Sequence, residues 1–288
     1  MHIIFKVLLI LIVPLFGIGT QFLVLPFSTQ EMSLGPHPAL PGSSPTNPAL
    51  FTAYEDHPVF GLDRGTWFGD IVLAQFGYNL NRNNFINHLG IKYASITDLE
   101  FRKEIPQDDA LAQFTSYGLA FDVGTAFARG GQKFGISLSY IQFGIFTEKS
   151  TGVGLSFGYA RDLKRGLKIG IALNNLGKMG PLNSRSPALP NRFLAGGSKK
   201  LVFNEYINIL YGSIGYNSIT GINTLYFGNS FNWNRLSINA GLSSSKDIIQ
   251  SSMGFRLNIQ RYAVEYGIRF GPQALGIPQM ITLRIILP

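Results

Sequence analysis

The sequence predicts an all-β protein, a transmembrane antiparallel β-barrel of about 14 strands preceded by an irregular N-terminal segment. Three observations carry this. Only 14% of the 288 residues are charged while 45% are hydrophobic, and soluble domains usually carry about a quarter charged residues. Beyond the N-terminus no apolar run reaches the length of about 20 residues that a membrane helix needs. In segment after segment, apolar residues alternate with small or polar ones, the period of a strand whose two faces meet different surroundings.

The first element is a leader. Lys6 supplies a positive charge, Val7 to Ile18 is almost wholly apolar, and the first acidic residue is Glu31. This is the order of a secretory signal peptide, here residues 1–19, with Gly17 and Gly19 as the small residues before the cut. Residues 20–64 follow as a Pro-rich segment. Pro36, Pro38, Pro41, Pro45, Pro48 and Pro58 fall within it, and proline lacks the amide donor that long strands and helices require. Such a segment suits packing into the mouth or lumen of a barrel.

The barrel itself is expected over 65–288. Leu119, Phe121 and Val123 share a face against Gly118, Ala120, Asp122 and Gly124. Phe134, Ile136, Leu138 and Tyr140 oppose Lys133, Gly135, Ser137 and Ser139, and the rhythm persists to Ile281, Leu283 and Ile285 near the C-terminus. A soluble sandwich also alternates, but its polar face carries Lys, Glu and Thr. Here that face is mostly Gly, Ala, Ser and Asn, which suits a crowded interior. Arg129-Gly130-Gly131 and Asp162 to Gly166 read as tight turns. Tyr206, Tyr211, Tyr216, Tyr226, Trp233 and Tyr262 read as interfacial girdles, and Trp67 and Phe68 as interfacial anchors or a docking edge.

The net charge of +8 comes from Lys and Arg residues scattered along the chain, which argues against a nucleic-acid partner. With no cysteine, disulfides and thiolate metal sites are excluded. Catalysis needs a paired nucleophile and base. His88 has no marked serine partner, and Asp108-Asp109 read as solvated loop acids. Glu55-Asp56-His57 are consecutive and seldom converge on one ion. No enzyme, metal or cofactor is expected. Alternation places Lys92, Asp122, Lys133, Lys168, Arg256, Glu265, Arg269 and Arg284 in the lumen, either as a salt-bridge ladder holding plug and wall together or as an attractor of anionic groups.

Some elements are more specific. Asn47-Pro48-Ala49, Trp67 in Trp-Phe-Gly-Asp-Ile, and Asn174-Asn175-Leu176-Gly177 followed by Leu189-Pro190-Asn191 occur in an order that resembles the PorV/PorQ family of FadL-like barrels. The resemblance spans most of residues 45–288. It implies an outer-membrane protein with lipid around it and one of two roles. PorV/PorQ-like proteins act in type IX secretion and attachment of exported cargo, through partners of the secretion machinery. FadL-like relatives admit hydrophobic or anionic small molecules.

Overall fold

The computed structural model of the protein describes residues 19–54, 57–101, 111–246, 248–271 and 276–288. The expected leader, apart from Gly19, lies outside the described residues, as do Glu55, Asp56, Asp108 and Asp109.

Fourteen antiparallel strands close into one barrel. They are β1 (Val59–Trp67), β2 (Ile71–Arg82), β3 (Phe85–Phe101), β4 (Ala112–Arg129), β5 (Gln132–Ile145), β6 (Glu148–Asp162) and β7 (Leu167–Met179). After them come β8 (Arg192–Val202), β9 (Tyr206–Asn217), β10 (Ile222–Trp233), β11 (Leu236–Ser244), β12 (Ile249–Ile259), β13 (Tyr262–Phe270) and β14 (Gln279–Ile286). Every strand pairs with its sequence neighbour, and β14 returns to β1, with Leu62 opposite Leu283. Closure removes the unpaired edges that hydrocarbon does not tolerate. β1 starts at Val59, ahead of the boundary expected at residue 65. Pro58 lies outside the ladder and Val59 is its first paired residue.

The alternating faces separate as strand geometry requires. Val123, Leu138, Val153, Phe227, Phe255 and Ile281 stand exposed on the outer wall, while Ala120, Ser139, Ala160, Ser230 and Thr282 are buried inside. Tight turns gather at one end: Asn83-Asn84, Gly130-Gly131, Asn234-Arg235 and Gln260-Arg261. Longer connections, such as those between β7 and β8 and between β13 and β14, gather at the other. In outer-membrane barrels short turns face the periplasm and long loops the exterior.

The girdle reading holds only in part. Tyr206, Trp233 and Tyr262 are exposed near the short-turn ends. Tyr211 instead points inward and stacks on His37 at 5.1 Å, and Tyr226 also faces the lumen, packing on Gly35 and Gly215. Trp67 likewise turns inward and packs on the internal apolar cluster, so it is no interfacial anchor. The cause is strand parity: Leu210 and Leu225, their immediate neighbours, take the outward positions.

The N-terminal segment fills the barrel. A 3-10 turn at Gly19–Val24 sits among the long loops, where Thr20 donates to the Ala188 carbonyl at 2.5 Å and Asn217 donates to Gln21 Oε1 at 3.1 Å. Helix α1 (Thr29–Leu34) follows, its first turn capped by the Ser28 hydroxyl, and lies against β10 to β14. The chain then crosses to β5 and β6 through a turn at Pro48–Leu50 and descends to β1 at the short-turn end. Phe22, Phe27 and Met32 of this plug join Leu73, Ile141 and Met280 of the wall in the largest buried apolar cluster. Glycines make the fit possible. A Cβ on Gly158 would strike the Asn47 carboxamide, and one on Gly254 would lie 2.8 Å from Ser33 Cβ.

Candidate functional site: the plugged lumen and its outer vestibule

The wall grips the plug through side chains that strand alternation turns inward. At the centre, Glu265 on β13 is fully buried between Arg256 (Nε at 2.9 Å) and Arg284 (Nε at 3.2 Å). Arg284 also reaches the plug, donating to Gln30 Oε1 at 2.6 Å. Beside it the Thr282 hydroxyl lies within hydrogen-bond distance of Asp63 and of Thr29 Oγ1, its one proton serving either of them, and Gln75 donates to Asp63 at 3.2 Å. Burying such charges is costly unless each is paired; Glu265 is paired with both arginines, while Glu265 Oε2 and Arg256 Nη2 are buried without a hydrogen-bond partner. Across the lumen Lys92 meets Asp122 at 3.4 Å, and Ser139 donates to the same carboxylate.

Lys133 and Lys168 lie at the short-turn rim, both bound to Asp162, at 3.2 and 3.4 Å. Arg269 stands alone among the eight charges. It donates through Nη2 to the Glu31 and Met32 carbonyls, each at 2.9 Å, and its guanidinium lies over the Trp67 ring, 5.2 Å from the centroid. The carbonyls near the end of a helix carry partial negative charge, so a cation there is favoured.

The motif residues are joints of this assembly. Asn47, fully buried, accepts from the Ala49 amide at 3.0 Å and donates to the Pro38 and Tyr159 carbonyls at 2.6 and 3.0 Å. It thereby shapes the Pro48-Ala49 turn and fixes it to β6. Asn175 has φ of 63°, a left-handed conformation that asparagine tolerates. It sits where the β6–β7 register shifts between Leu155 and Phe157, its amide taken by Ser156 Oγ at 3.2 Å. Asn174 is buried beside it, opposite Arg192 in the ladder. Gly177 lies against the Val153 carbonyl, where any side chain would clash.

Between plug and wall, near the long loops, lies a vestibule of about 220 Å³. Trp67, Tyr226, Pro26 and Pro36 give it apolar surface, and Arg192 and Arg269 give it positive charge, with Glu31 at its base. Arg192 donates weakly to Val24 O at 3.5 Å and to Tyr226 at 3.4 Å. Arg192 and Glu31 also line a smaller, polar chamber of about 60 Å³ that continues inward past His88, Lys92, Asp122 and Asn174. His88 itself is held by Asn79 Oδ1 at 2.6 Å and stacks on Phe51. Arg192 and Glu31 are not among the functional candidates read from the sequence, and Tyr226 enters there only as a girdle residue. Arg192 follows the Leu189-Pro190 element and opens β8, the one signal that could have marked it. Among the described residues no group of three His, Asp or Glu side chains could hold a metal.

A closed sheet with an apolar outer wall and a lumen filled by its own N-terminal segment defines a plugged barrel of the outer membrane. Its fold is similar to that of the monoaromatic hydrocarbon channel TodX. The TodX monoaromatic hydrocarbon channel deltaS2 mutant matches with a TM-score of 0.66 over 94% of this chain and 98% of that one, at 12% identity. The Pseudomonas putida toluene transporter TodX gives 0.63 over 90% and 96%, again at 12% identity. The Acinetobacter baumannii outer membrane protein Omp33 gives 0.50 at 8% identity, over 80% of this chain and 98% of that one. No family model and no curated protein matches the sequence.

Proposed function

We propose that the protein is a conduit that admits small hydrophobic molecules through the outer membrane, with the N-terminal segment as its gate. The observation that carries this reading is the vestibule between plug and wall, open to the long-loop end and apolar on the Trp67, Tyr226, Pro26 and Pro36 side. A molecule entering there meets the plug directly, and passage needs only rearrangement of the plug. The fold is shared with channels named for monoaromatic hydrocarbons and toluene, which supports a small apolar solute and a role without covalent chemistry.

Attachment of exported cargo, the other role implied by the resemblance to the PorV/PorQ family, rests on the motifs alone. In the structure Asn47, Asn174 and Asn175 are buried joints and offer no surface to a secretion partner. The test is uptake of radiolabelled toluene into proteoliposomes. Uptake above that of protein-free vesicles is expected. Uptake equal to the empty control, together with lost cargo display in a deletion strain, would move the function to export.

A further inference from the structure

The charges that look scattered in the sequence meet at one place in the fold. Because the turns that follow the even-numbered strands all return to the same end, Arg82, Arg129, Arg161, Lys164, Arg165 and Lys199 come to border the short-turn rim, against Asp162 and Glu205 among the described residues. Arg82, Arg129, Arg161 and Lys199 occupy outward strand positions, continuing the faces of Leu80, Phe127, Tyr159 and Gly197. Their level is that of lipid headgroups.

Immediately above two of them the outer wall is grooved. The groove has a volume of about 440 Å³ and is walled by Phe127, Phe134, Ile136, Phe157, Ile171 and Leu173. The backbone of the inward-facing Gly135 and Gly158, paired across β5 and β6, forms its floor. Inside the wall the same two glycines are held free of side chains by the plug turn at Asn47-Pro48.

The ladder sets the arginines at the foot of the groove. Arg129 pairs with Gln132, and Gln132 pairs with Arg161, so the two arginines flank Gln132 on a single rung. Strands lie about 4.8 Å apart, which separates the two Cα atoms by about 10 Å, a span that two extended guanidinium side chains can close around one anion. Gln132 is steadied by the Tyr159 hydroxyl, which donates to its Oε1 at 3.2 Å. The adjacent carboxylate, Asp162, is already engaged by Lys133 and Lys168, so it does not neutralise the pair. Lys164 and Arg165 in the next turn add to the positive field.

We propose that this is a binding site for one anionic phospholipid of the periplasmic leaflet, with an acyl chain in the groove and the phosphate between Arg129 and Arg161. The groove opens to the hydrocarbon core and the arginines to the headgroup layer. A phospholipid carries both chemistries at that spacing. A free phosphate engages only the arginines, and an acidic protein in the periplasm cannot reach the groove.

The test is native mass spectrometry of the detergent-purified barrel titrated with phosphatidylglycerol or with zwitterionic phosphatidylethanolamine. Folding of each variant is checked by heat-modifiable migration on gels. The unaltered protein is expected to retain one phosphatidylglycerol at least tenfold more readily than phosphatidylethanolamine. R129Q/R161Q should lose that preference, and Thr125→Trp, which fills the groove and leaves the charges, should lose retention of both lipids. R235Q, on a different turn of the rim, should behave as the unaltered protein. Equal retention of the two lipids by the unaltered protein, or undiminished preference in R129Q/R161Q, overturns the proposal. Displacement of the lipid by millimolar inorganic phosphate would assign the arginine pair to a free anion and overturn it as well.

Discussion

Arg269 of the wall holds the carbonyl oxygen of Met32 in the plug at 2.9 Å, across a separation of 237 residues in sequence. The same guanidinium reaches the Glu31 carbonyl and lies over Trp67. One side chain thus joins the plug, the wall and the vestibule. Its hydrogen bonds are charge-assisted, and each contributes about 1.5–3 kcal/mol. In Arg269→Gln the plug is expected to leave its seat about tenfold or more often, a factor that corresponds to about 1.4 kcal/mol. Limited proteolysis should then cut within residues 19–54 at a raised rate while the strands stay protected. An unchanged rate would show that the latch lies elsewhere.

Glu265 answers two arginines at once, and removing it strands both. Glu265→Gln leaves Arg256 and Arg284 buried beside a neutral group, and breaking a buried pair in this way costs about 3–5 kcal/mol. Urea unfolding in detergent micelles should show a loss of that order. A loss below about 1 kcal/mol, the size of an exposed pair, would mean that water reaches the network.

Gly158 faces the Asn47 carboxamide with no room for a methyl group. Gly158→Val should expel the Pro48-Ala49 turn and, with it, the plug. The expected result is a folded barrel with raised single-channel conductance in planar bilayers and a protease-sensitive N-terminal segment. A protected segment with unaltered conductance would contradict the packing described.

The outer wall makes its own prediction. Leu138, exposed on β5, faces hydrocarbon, where an introduced arginine costs up to about 2–4 kcal/mol at mid-bilayer depth. Leu138→Arg should therefore destabilise the barrel by folding titration in lipid. A neutral result would place that strand face in water.

Much of this architecture is legible in the sequence, because period two is a local property. Residues such as Phe134, Ile136 and Leu138 announce an outer face without knowledge of any partner strand, and small residues at Gly135 and Ser137 announce a crowded inner one. Parity also puts Tyr211 inside, next to Leu210, although a reading by residue type alone assigns it to a girdle. What the local pattern does not hold is which inward residues meet. That Glu265 sits between Arg256 and Arg284 depends on register across three strands, and that Arg269 meets α1 depends on the path of a proline-rich segment with no periodicity. The basic rim is hidden for the same reason: Arg129 and Arg161 are 32 positions apart in the chain and become neighbours of Gln132 only through the ladder.

The gating role of the N-terminal segment is the claim on which the functional reading stands. Thr29 of the plug and Thr282 of the wall face each other with their hydroxyl oxygens 2.8 Å apart, and the chain has no cysteine of its own. Cysteines placed at both positions can therefore tie the plug to the wall and release it on reduction. The decisive measurement is toluene uptake by proteoliposomes containing this double variant, oxidised and then reduced. The account predicts that uptake falls to the protein-free level in the oxidised barrel and recovers with dithiothreitol. Equal uptake in the two states would show that solutes pass without movement of the segment and would contradict it.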